Sequence, residues 1–353
     1  MKSILLNGIT YNRYNLDQLF VISESDDSWQ NAIYYFLKNW YDDSDFILAH
    51  TSGSTGNPKS IRLSKASMVN SARMTNQYFG LSEESIGLLC LPASYIAGKM
   101  MLVRAIVGEF NLLTAIPSAN PFKTTHTPID FAAITPYQLF HSAGILQQAP
   151  VGKIIVGGGP VTGKLEKLAE TIPAELYETY GMTETCSHVA LRRFNGPDRS
   201  EYFTVLKGVI IRLDERDCLA IKAPHLLKEE IQTNDMVELM GTRSFRWLGR
   251  ADSTINSGGI KIHPEQLEKK LEGFIPSAYF IASVPDDMLE NKVILVIESA
   301  AYSPEQEQAL TARMEQLLSK YEMPKQLVYI PSFVYSESNK VLRSETLTNA
   351  LKK

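Results

Sequence analysis

The sequence has little cysteine and no long apolar run. Its three cysteines, Cys90, Cys186 and Cys218, are far apart and odd in number, so they predict neither a disulfide framework nor a metal site. No apolar stretch reaches the roughly 18 residues that a membrane-spanning helix needs. The first ten residues carry too short an apolar stretch, and no small-residue cleavage site, for a secretory signal. We therefore expect a soluble cytoplasmic protein with reduced thiols.

The sequence also lacks a large excess of positive or negative charge. The chain carries 35 Lys and Arg against 39 Asp and Glu, a formal net charge of -4. This balance argues against a nucleic-acid partner and against an anionic membrane surface. With 21 glycines and 17 prolines among 353 residues, a collagen-like or low-complexity chain is excluded. The length predicts about two domains, at roughly 150 residues each.

Strand-like and helix-like segments alternate through the first half of the chain. A short strand is predicted at 46–49, and a helix over Lys65–Phe79 follows a polar loop. This alternation is typical of an α/β layer with parallel strands. Further strands are expected at 87–91, 131–134 and 153–156, and further helices at 98–107 and 137–146.

The second half has a different texture. From about Glu201, short strand-like runs predict a β-rich subdomain. After Arg250 a small α+β domain is expected, so we predict domains at 1–249 and 250–353, the second small and mobile. The β-rich runs are 209–213, 219–221 and 236–239. The last domain is predicted to contain helices at 264–271 and 303–320, strands at 279–284, 292–298 and 326–330, and a final polar helix.

The segment most informative about chemistry is His-Thr-Ser-Gly-Ser-Thr-Gly-Asn-Pro-Lys-Ser, residues 50–60. Glycines let backbone N–H groups approach an anion, and hydroxyls add donors. An ordinary polar turn would have the same composition. A Walker A loop fits the spacing of Gly53 and Lys59, but Pro58 occupies its second glycine and has no N–H, which argues against a P-loop NTPase. The candidate phosphate ligands are Thr51, Ser52, Gly53, Ser54, Thr55, Gly56 and Lys59.

This loop resembles the T-S-G-S-T-G-x-P-K signature of the adenylate-forming superfamily, which includes acyl-CoA synthetases, peptide-synthetase adenylation domains and luciferases. In that family the loop holds the β- and γ-phosphates of ATP. His50 stands where the family commonly has an aromatic residue. The resemblance implies an ATP-dependent enzyme that activates a carboxylic acid.

Two further segments resemble nucleotide-binding motifs of the same family, although each alone could be a surface turn. Residues 180–185, Tyr-Gly-Met-Thr-Glu-Thr, match the Y-G-x-T-E motif. The resemblance implies that Tyr180 stacks on adenine, Thr183 binds the α-phosphate and Glu184 holds Mg²⁺. Carboxylate and phosphate oxygens are the ligands that this hard cation prefers. The glycine-rich segment 157–159 implies adenine contacts, so the adenine set is Gly158, Gly159, Tyr180 and Gly181.

The remaining motifs follow in the family's order. Asp235 and Arg250 match the two residues that contact ribose, and Asp252 matches the pivot of the hinge. Ser257, Gly258 and Gly259 match the segment that lines the coenzyme A tunnel. Near the end, 338–343 resembles the T-G-K-I-L-R motif, with Asn339 in place of glycine. The resemblance implies that Lys340 is the catalytic lysine of adenylation.

Within the superfamily, the segments 91–113 and 183–188 resemble o-succinylbenzoate–CoA ligases of menaquinone biosynthesis. Tyr95 stands where that subfamily has histidine and is assigned, with Lys99 and His188, to the acyl pocket. The second carboxylate of such a substrate would be costly to bury without a cation or donors. Lys99, His188 and Arg192 are candidates for that contact, and the sequence leaves the choice open.

Only 49 residues precede the phosphate loop, so a truncated N-terminal subdomain is expected. The expected reaction consumes ATP with Mg²⁺ and transfers the acyl group to coenzyme A, while the C-terminal domain rotates between the two steps. An adenylation enzyme for another acid, one that delivers to a carrier-protein thiol, and a non-catalytic nucleotide-binding relative are the alternatives. A homo-oligomer is possible.

Overall fold

The computed structural model describes residues 3–19, 28–50, 60–123, 127–335 and 341–351. The predicted phosphate ligands Thr51, Ser52, Gly53, Ser54, Thr55, Gly56 and Lys59, and the predicted catalytic Lys340, lie outside these residues. Within the described ranges the chain forms eight α-helices, α1 to α8: Trp29–Tyr41, Lys65–Phe79, Ile96–Gly108, Pro136–Leu146, Gly163–Ala169, Pro264–Leu271, Pro304–Leu317 and Arg343–Leu351.

The same ranges contain twenty strands, β1 to β20. They are Ile4–Leu6, Ile9–Tyr11, Phe46–His50, Ser60–Ser64, Ile86–Leu89, Asn111–Thr114, Ile129–Ile134, Val151–Val156, Glu175–Gly181, His188–Arg193, Phe203–Val205, Ile210–Leu213, Cys218–Lys222, Ile231–Met240, Ser244–Arg250, Ile255–Ser257, Ile260–Ile262, Tyr279–Asp286, Glu290–Glu298 and Gln326–Ile330.

A thirteen-stranded sheet dominates the first 250 residues, in the order β12-β13-β14-β15-β11-β10-β9-β8-β7-β5-β6-β1-β2. Its central strands, from β6 through β5, β7 and β8 to β9, are parallel. Strand β7 is buried at five of its six residues, as expected for a parallel strand covered on both faces. The predicted α/β class is confirmed.

The predicted β-rich region is present, and its strands extend the same sheet. Strand β9 pairs with β10 in antiparallel orientation, and β11 to β15 continue from there. Strands β3 and β4, which precede and follow the predicted phosphate loop in the sequence, pair as a separate two-stranded sheet. The predicted nucleotide motifs 157–159 and 180–185 therefore lie at the ends of the neighbouring strands β8 and β9.

Helix boundaries follow local capping chemistry. Ser64 accepts a hydrogen bond from Ser67 N and begins α2, and Gly80, with a positive φ, ends it. Thr135 forms a capping box with Gln138 at the start of α4. The capping box predicted at Ser303 is confirmed at the start of α7. These caps fix the ends of helices that pack on the sheet.

The part of the chain after Arg250, called here the C-terminal region, has its own sheet and core. Strands β18 and β20 flank β19, β16 pairs with one end of β19, and β17 pairs with β16. Helices α6 and α7 contribute to its main hydrophobic cluster, through residues such as Leu267 and Met314. Among the described residues, no helix is long and apolar enough to cross a membrane.

Candidate functional site

The two nucleotide motifs lie side by side at the carboxyl ends of β8 and β9, which pair in parallel with Val156 opposite Glu178. The glycines are required by space and conformation. A Cβ on Gly157 would lie 2.3 Å from Thr179 Oγ1, and Gly158 has a φ of +82°. The predicted glycine-rich loop therefore brings its backbone to the same edge as Tyr180.

Three predicted site residues that are far apart in the sequence, Tyr180, Asp235 and Arg250, lie close together in the structure. The Tyr180 hydroxyl donates to Asp235 Oδ2 at 2.6 Å, and Trp247 Nε1 donates to Asp235 Oδ1 at 3.1 Å. Arg250 lies opposite Asp235 in the β14–β15 pair. Burial and the Asp235 carboxylate raise the pKa of Tyr180, so the phenol stays protonated and donates. The carboxylate is thereby fixed, with lone pairs left for ribose hydroxyls.

The predicted ribose ligand and the predicted hinge residue are bonded to each other. Arg250 Nε and Nη2 donate to the two carboxylate oxygens of Asp252, each at 3.0 Å. The hydrogen bonds from Arg250 lower the pKa of Asp252. A short 3₁₀ turn over Ala251–Ser253 separates the large sheet from the C-terminal region. The predicted hinge residue is therefore bonded directly to the end of β15.

The segment after Tyr180 is a tightly held turn. A 3₁₀ turn spans Thr183–Thr185, and Thr185 Oγ1 donates to the carbonyls of Met182 and Ser187. Cys186 has a φ of +63°, which is unusual for a residue with a side chain. This turn places Glu184 at the surface.

Glu184 suits the magnesium role assigned to it. Among the described residues it makes no hydrogen bond or ion pair, and no three His, Cys, Asp and Glu side chains cluster to form an all-protein metal site. Mg²⁺ in phosphate-transfer sites is bound by one or two carboxylates together with substrate phosphates. A single exposed carboxylate, next to the predicted α-phosphate ligand Thr183, fits that donor set.

Arg192 is not a substrate-binding cation. Its guanidinium donates to Glu178 Oε2 at 2.6 and 2.9 Å and to Glu166 Oε1 at 2.8 Å. Burial alone would lower the pKa of Arg192, but the two carboxylates raise it. The expectation that Arg192 could meet a substrate carboxylate is wrong because two protein carboxylates already neutralise its charge in the interior.

His188 is a poor anion ligand in this structure. It is only 4% exposed, with Nε2 3.2 Å from Thr75 Oγ1 and Nδ1 3.3 Å from Ser187 Oγ. Burial and the nearby Arg104 hold its pKa well below the ordinary value. The ring is therefore neutral at pH 7 and can supply a hydrogen bond but no charge.

Lys99 and Tyr95 lie near a cavity of about 490 Å³ whose wall includes Tyr35, Phe36 and Leu48. Lys99 lines this cavity and donates to the Leu48 carbonyl at 2.9 Å, whereas Tyr95 is 59% exposed. Burial lowers the pKa of Lys99. Lys99 therefore remains an available cation, on the face of α3 toward α1 and β3.

Arg104 is a functional candidate that the sequence analysis missed. It is 1% exposed on α3, and Nη2 donates to Ser187 Oγ at 2.7 Å. Its Nε has no hydrogen-bond partner, and no carboxylate of the described residues pairs with it. Burial lowers the pKa of Arg104 to about 9, so it is charged at pH 7. The sequence signal that could have identified Arg104 is its position within the apolar run 98–107.

Gly258 and Gly259 form the turn between β16 and β17, and Ser257 is the last residue of β16. Gly258 and Gly259 have φ values of +59° and +80°, and Gly258 N donates to the Leu289 carbonyl. These contacts lie within the C-terminal region. The role of this turn in binding coenzyme A stays a prediction.

The chain belongs to the AMP-binding enzyme family, whose model matches residues 25–213, more than half of the sequence. It is 34% identical to the acyl-CoA synthetase (AMP-forming)/AMP-acid ligase II-like protein from Dyadobacter fermentans, with a TM-score of 0.62 over 96% of this chain and 99% of that one.

It is also similar to the 2-succinylbenzoate–CoA ligase of Staphylococcus epidermidis, with 24% identity over 85% of this chain and 69% of that enzyme. The o-succinylbenzoate coenzyme A synthetase of Bacillus subtilis, in complex with ATP and magnesium, has the same fold. Its TM-score is 0.69 and its identity 21%, over 85% of this chain and 69% of that one.

Proposed function

We propose that this protein is an ATP-dependent acid–CoA ligase that converts o-succinylbenzoate to its coenzyme A thioester in the cytoplasm. The observation that carries the proposal is the convergence of Tyr180, Asp235 and Arg250 beside the 157–159 loop, in a chain of the AMP-binding family. The names of its relatives supply the acid.

The first step forms a mixed anhydride. A carboxylate oxygen of the acid attacks the α-phosphorus of ATP, the bond to the β-phosphate oxygen breaks, and pyrophosphate leaves. Tyr180 and the Asp235–Arg250 pair hold the nucleoside, Thr183 donates to the α-phosphate, and Glu184 would hold Mg²⁺. The cation offsets the repulsion between the two anions. Lys340 neutralises charge shared by the carboxylate and phosphate oxygens.

The second step moves the acyl group to sulfur. The thiol of coenzyme A, as thiolate, attacks the acyl carbon, the acyl–oxygen bond to phosphate breaks, and AMP leaves. We expect the C-terminal region to move about Asp252 between the steps, so that Lys340 serves the first step and the turn at 257–259 serves the second.

Arg104 accounts for the choice of a dicarboxylic acid. A buried guanidinium without a carboxylate partner loses its hydration and gains no Coulomb attraction in return. Ser187, which Arg104 contacts, lies two residues after the turn that carries Thr183 and Glu184. The ring carboxylate of o-succinylbenzoate would supply the missing partner while the succinyl carboxylate reacts.

Pyrophosphate exchange and coenzyme A-dependent AMP release across a panel of acids test the proposal. The panel contains o-succinylbenzoate, benzoate, acetate and a long fatty acid. We expect turnover with o-succinylbenzoate and little with the others. Equal turnover of benzoate would refute the assignment of this acid, and no exchange with any acid would favour a non-catalytic nucleotide-binding protein.

Coenzyme A and a phosphopantetheine-loaded carrier protein, offered separately after adenylation, decide the thiol acceptor. We expect release of AMP with coenzyme A only. Gel filtration of the same sample shows whether the protein is a monomer or a homo-oligomer.

A further inference from the structure

One side chain of the C-terminal region reaches the part of the large sheet that carries the glycine-rich loop. Glu272, which directly follows α6, accepts hydrogen bonds from Gly163 N at 2.6 Å and from Lys164 N at 2.7 Å. These are the first two residues of α5, whose early N–H groups have no partner inside the helix. Thr162 caps the next one through Leu165 N.

This contact is stronger than an ordinary surface ion pair. Both oxygens of one carboxylate accept short hydrogen bonds from backbone donors, and a negative charge is favourable at a helix N-terminus. Glu272 and Gly163 are also partly buried, so solvent screens the contact less than it screens an exposed one.

Helix α5 is bonded in turn to the nucleotide site. Its Glu166 pairs with Arg192, which binds Glu178, and Glu178 Oε1 accepts from Val161 N at 2.9 Å. Glu178 precedes Tyr180 by two residues on β9. A connected set of hydrogen bonds therefore runs from Glu272 through α5 to β9 and to Val161, which follows the glycine-rich loop.

Other contacts between the two parts constrain their arrangement less. The pair of Lys261 and Asp217 spans 3.3 Å between two largely exposed side chains, a kind of contact that contributes little. The Gln266 amide donates to the carbonyls of Trp247 and Leu248, next to the hinge, where rotation changes distances least. The partners of Glu272, at the start of α5, are instead far from the hinge in the sequence.

We propose that Glu272 is a positioning residue that fastens the C-terminal region to α5 in one of the two catalytic arrangements and must release α5 in the other. This inference rests on the proposed function, because it assigns the two arrangements to adenylation and thioester formation. Removing the carboxylate destabilises the fastened arrangement, so its population falls and that of the other arrangement rises.

The test compares Glu272→Gln and Glu272→Ala with wild type and with Glu315→Gln, a control at an exposed glutamate of the same region. Hydrogen exchange of a peptide spanning 157–170 reports on the Gly163 and Lys164 amides. We expect at least threefold faster exchange at these amides in both Glu272 variants and no change in the control. Unchanged exchange would overturn the contact.

The two half-reactions are then measured separately, as pyrophosphate exchange and as thioester formation from supplied acyl-adenylate. We expect the ratio of the two rates to change at least threefold in Glu272→Ala, and less in Glu272→Gln, which keeps one acceptor oxygen. Equal losses in both half-reactions would indicate a merely structural role and overturn the proposal. Absence of both activities in the wild type would instead refute the proposed function.

Discussion

At the scale of single residues, the charge on Arg104 is the feature that most clearly separates a functional from a structural role. We expect Arg104→Met to raise KM for o-succinylbenzoate at least tenfold, because the ring carboxylate loses its cation. Thermal stability without substrate should stay equal or rise, because replacing an uncompensated buried charge by an apolar side chain removes a desolvation cost. Steady-state kinetics and a melting curve measure the two effects.

Lys99→Met is the matched control for that variant, since Lys99 is the other available cation on α3. If KM rises with Lys99→Met and stays constant with Arg104→Met, the second carboxylate lies in the cavity beside α1. The role given to Arg104 would then be wrong.

Glu184 offers a second test at this scale. Glu184→Gln keeps the size of the side chain and removes the charge that would hold Mg²⁺. We expect adenylation to fall at least tenfold, about 1.4 kcal/mol in the barrier, with the largest loss at limiting Mg²⁺. Pyrophosphate exchange measured across a magnesium titration checks this, and an unchanged titration curve would remove Glu184 from the metal site.

At the scale of elements, the approach of β9 to the segment before β10 depends on a glycine. A Cβ on Gly181 would lie 2.4 Å from the Ser187 carbonyl oxygen and 2.5 Å from His188 Cα, both backbone atoms. We expect Gly181→Ala to displace the turn at Thr183–Thr185 and to impair adenylation more than tenfold. Gly144→Ala, on α4 with open space around it, should stabilise the protein by roughly 0.5–1 kcal/mol.

Pyrophosphate exchange and thermal melting of both glycine variants decide this prediction. Wild-type exchange in Gly181→Ala would show that the turn tolerates the methyl group, and the close packing would then have no catalytic importance.

Elements with strong local signals could be predicted from the sequence. Helix α2 has the predicted bounds, because Ser64 caps one end and Gly80 the other. The β1–β2 hairpin was not predicted, since strands of three residues give little signal. Helix α1 was also not predicted, although Ser28 caps it and its buried residues recur at helical spacing. The error at Arg192 arose because its partner Glu178 lies directly opposite on β9, and the register of a strand pair cannot be read from one strand.

At the scale of the whole molecule, the predicted division of labour concerns Lys340 and Asp252. We expect Lys340→Ala to abolish pyrophosphate exchange and to leave thioester formation from supplied acyl-adenylate nearly intact. Asp252→Pro restricts φ at the hinge and removes the carboxylate that binds Arg250, so it should impair the second step more. Equal losses in the two half-reactions for Lys340→Ala would contradict a lysine that serves only the first step.

The residues of the candidate site that lie within recognisable sequence motifs could be predicted. Tyr180, Asp235 and Arg250 were predicted to share one site, and the strand pairing brings them together; their contacts with a nucleotide stay a prediction. Arg104 was missed because an arginine within an apolar helix looks the same in the sequence whether its partner is a protein carboxylate or a ligand. The structure distinguishes the two arginines: Arg192 pairs with two glutamates, whereas Arg104 has no carboxylate partner among the described residues.

The most direct test of the central claim is a comparison of two acids with two proteins. Coenzyme A-dependent AMP release is measured with o-succinylbenzoate and with 3-benzoylpropionate, which keeps the reacting arm and lacks the ring carboxylate, for wild type and for Arg104→Met. We predict that wild type prefers o-succinylbenzoate at least tenfold in kcat/KM and that Arg104→Met loses this preference. Equal use of both acids by wild type, or an unchanged preference in the variant, would contradict the account.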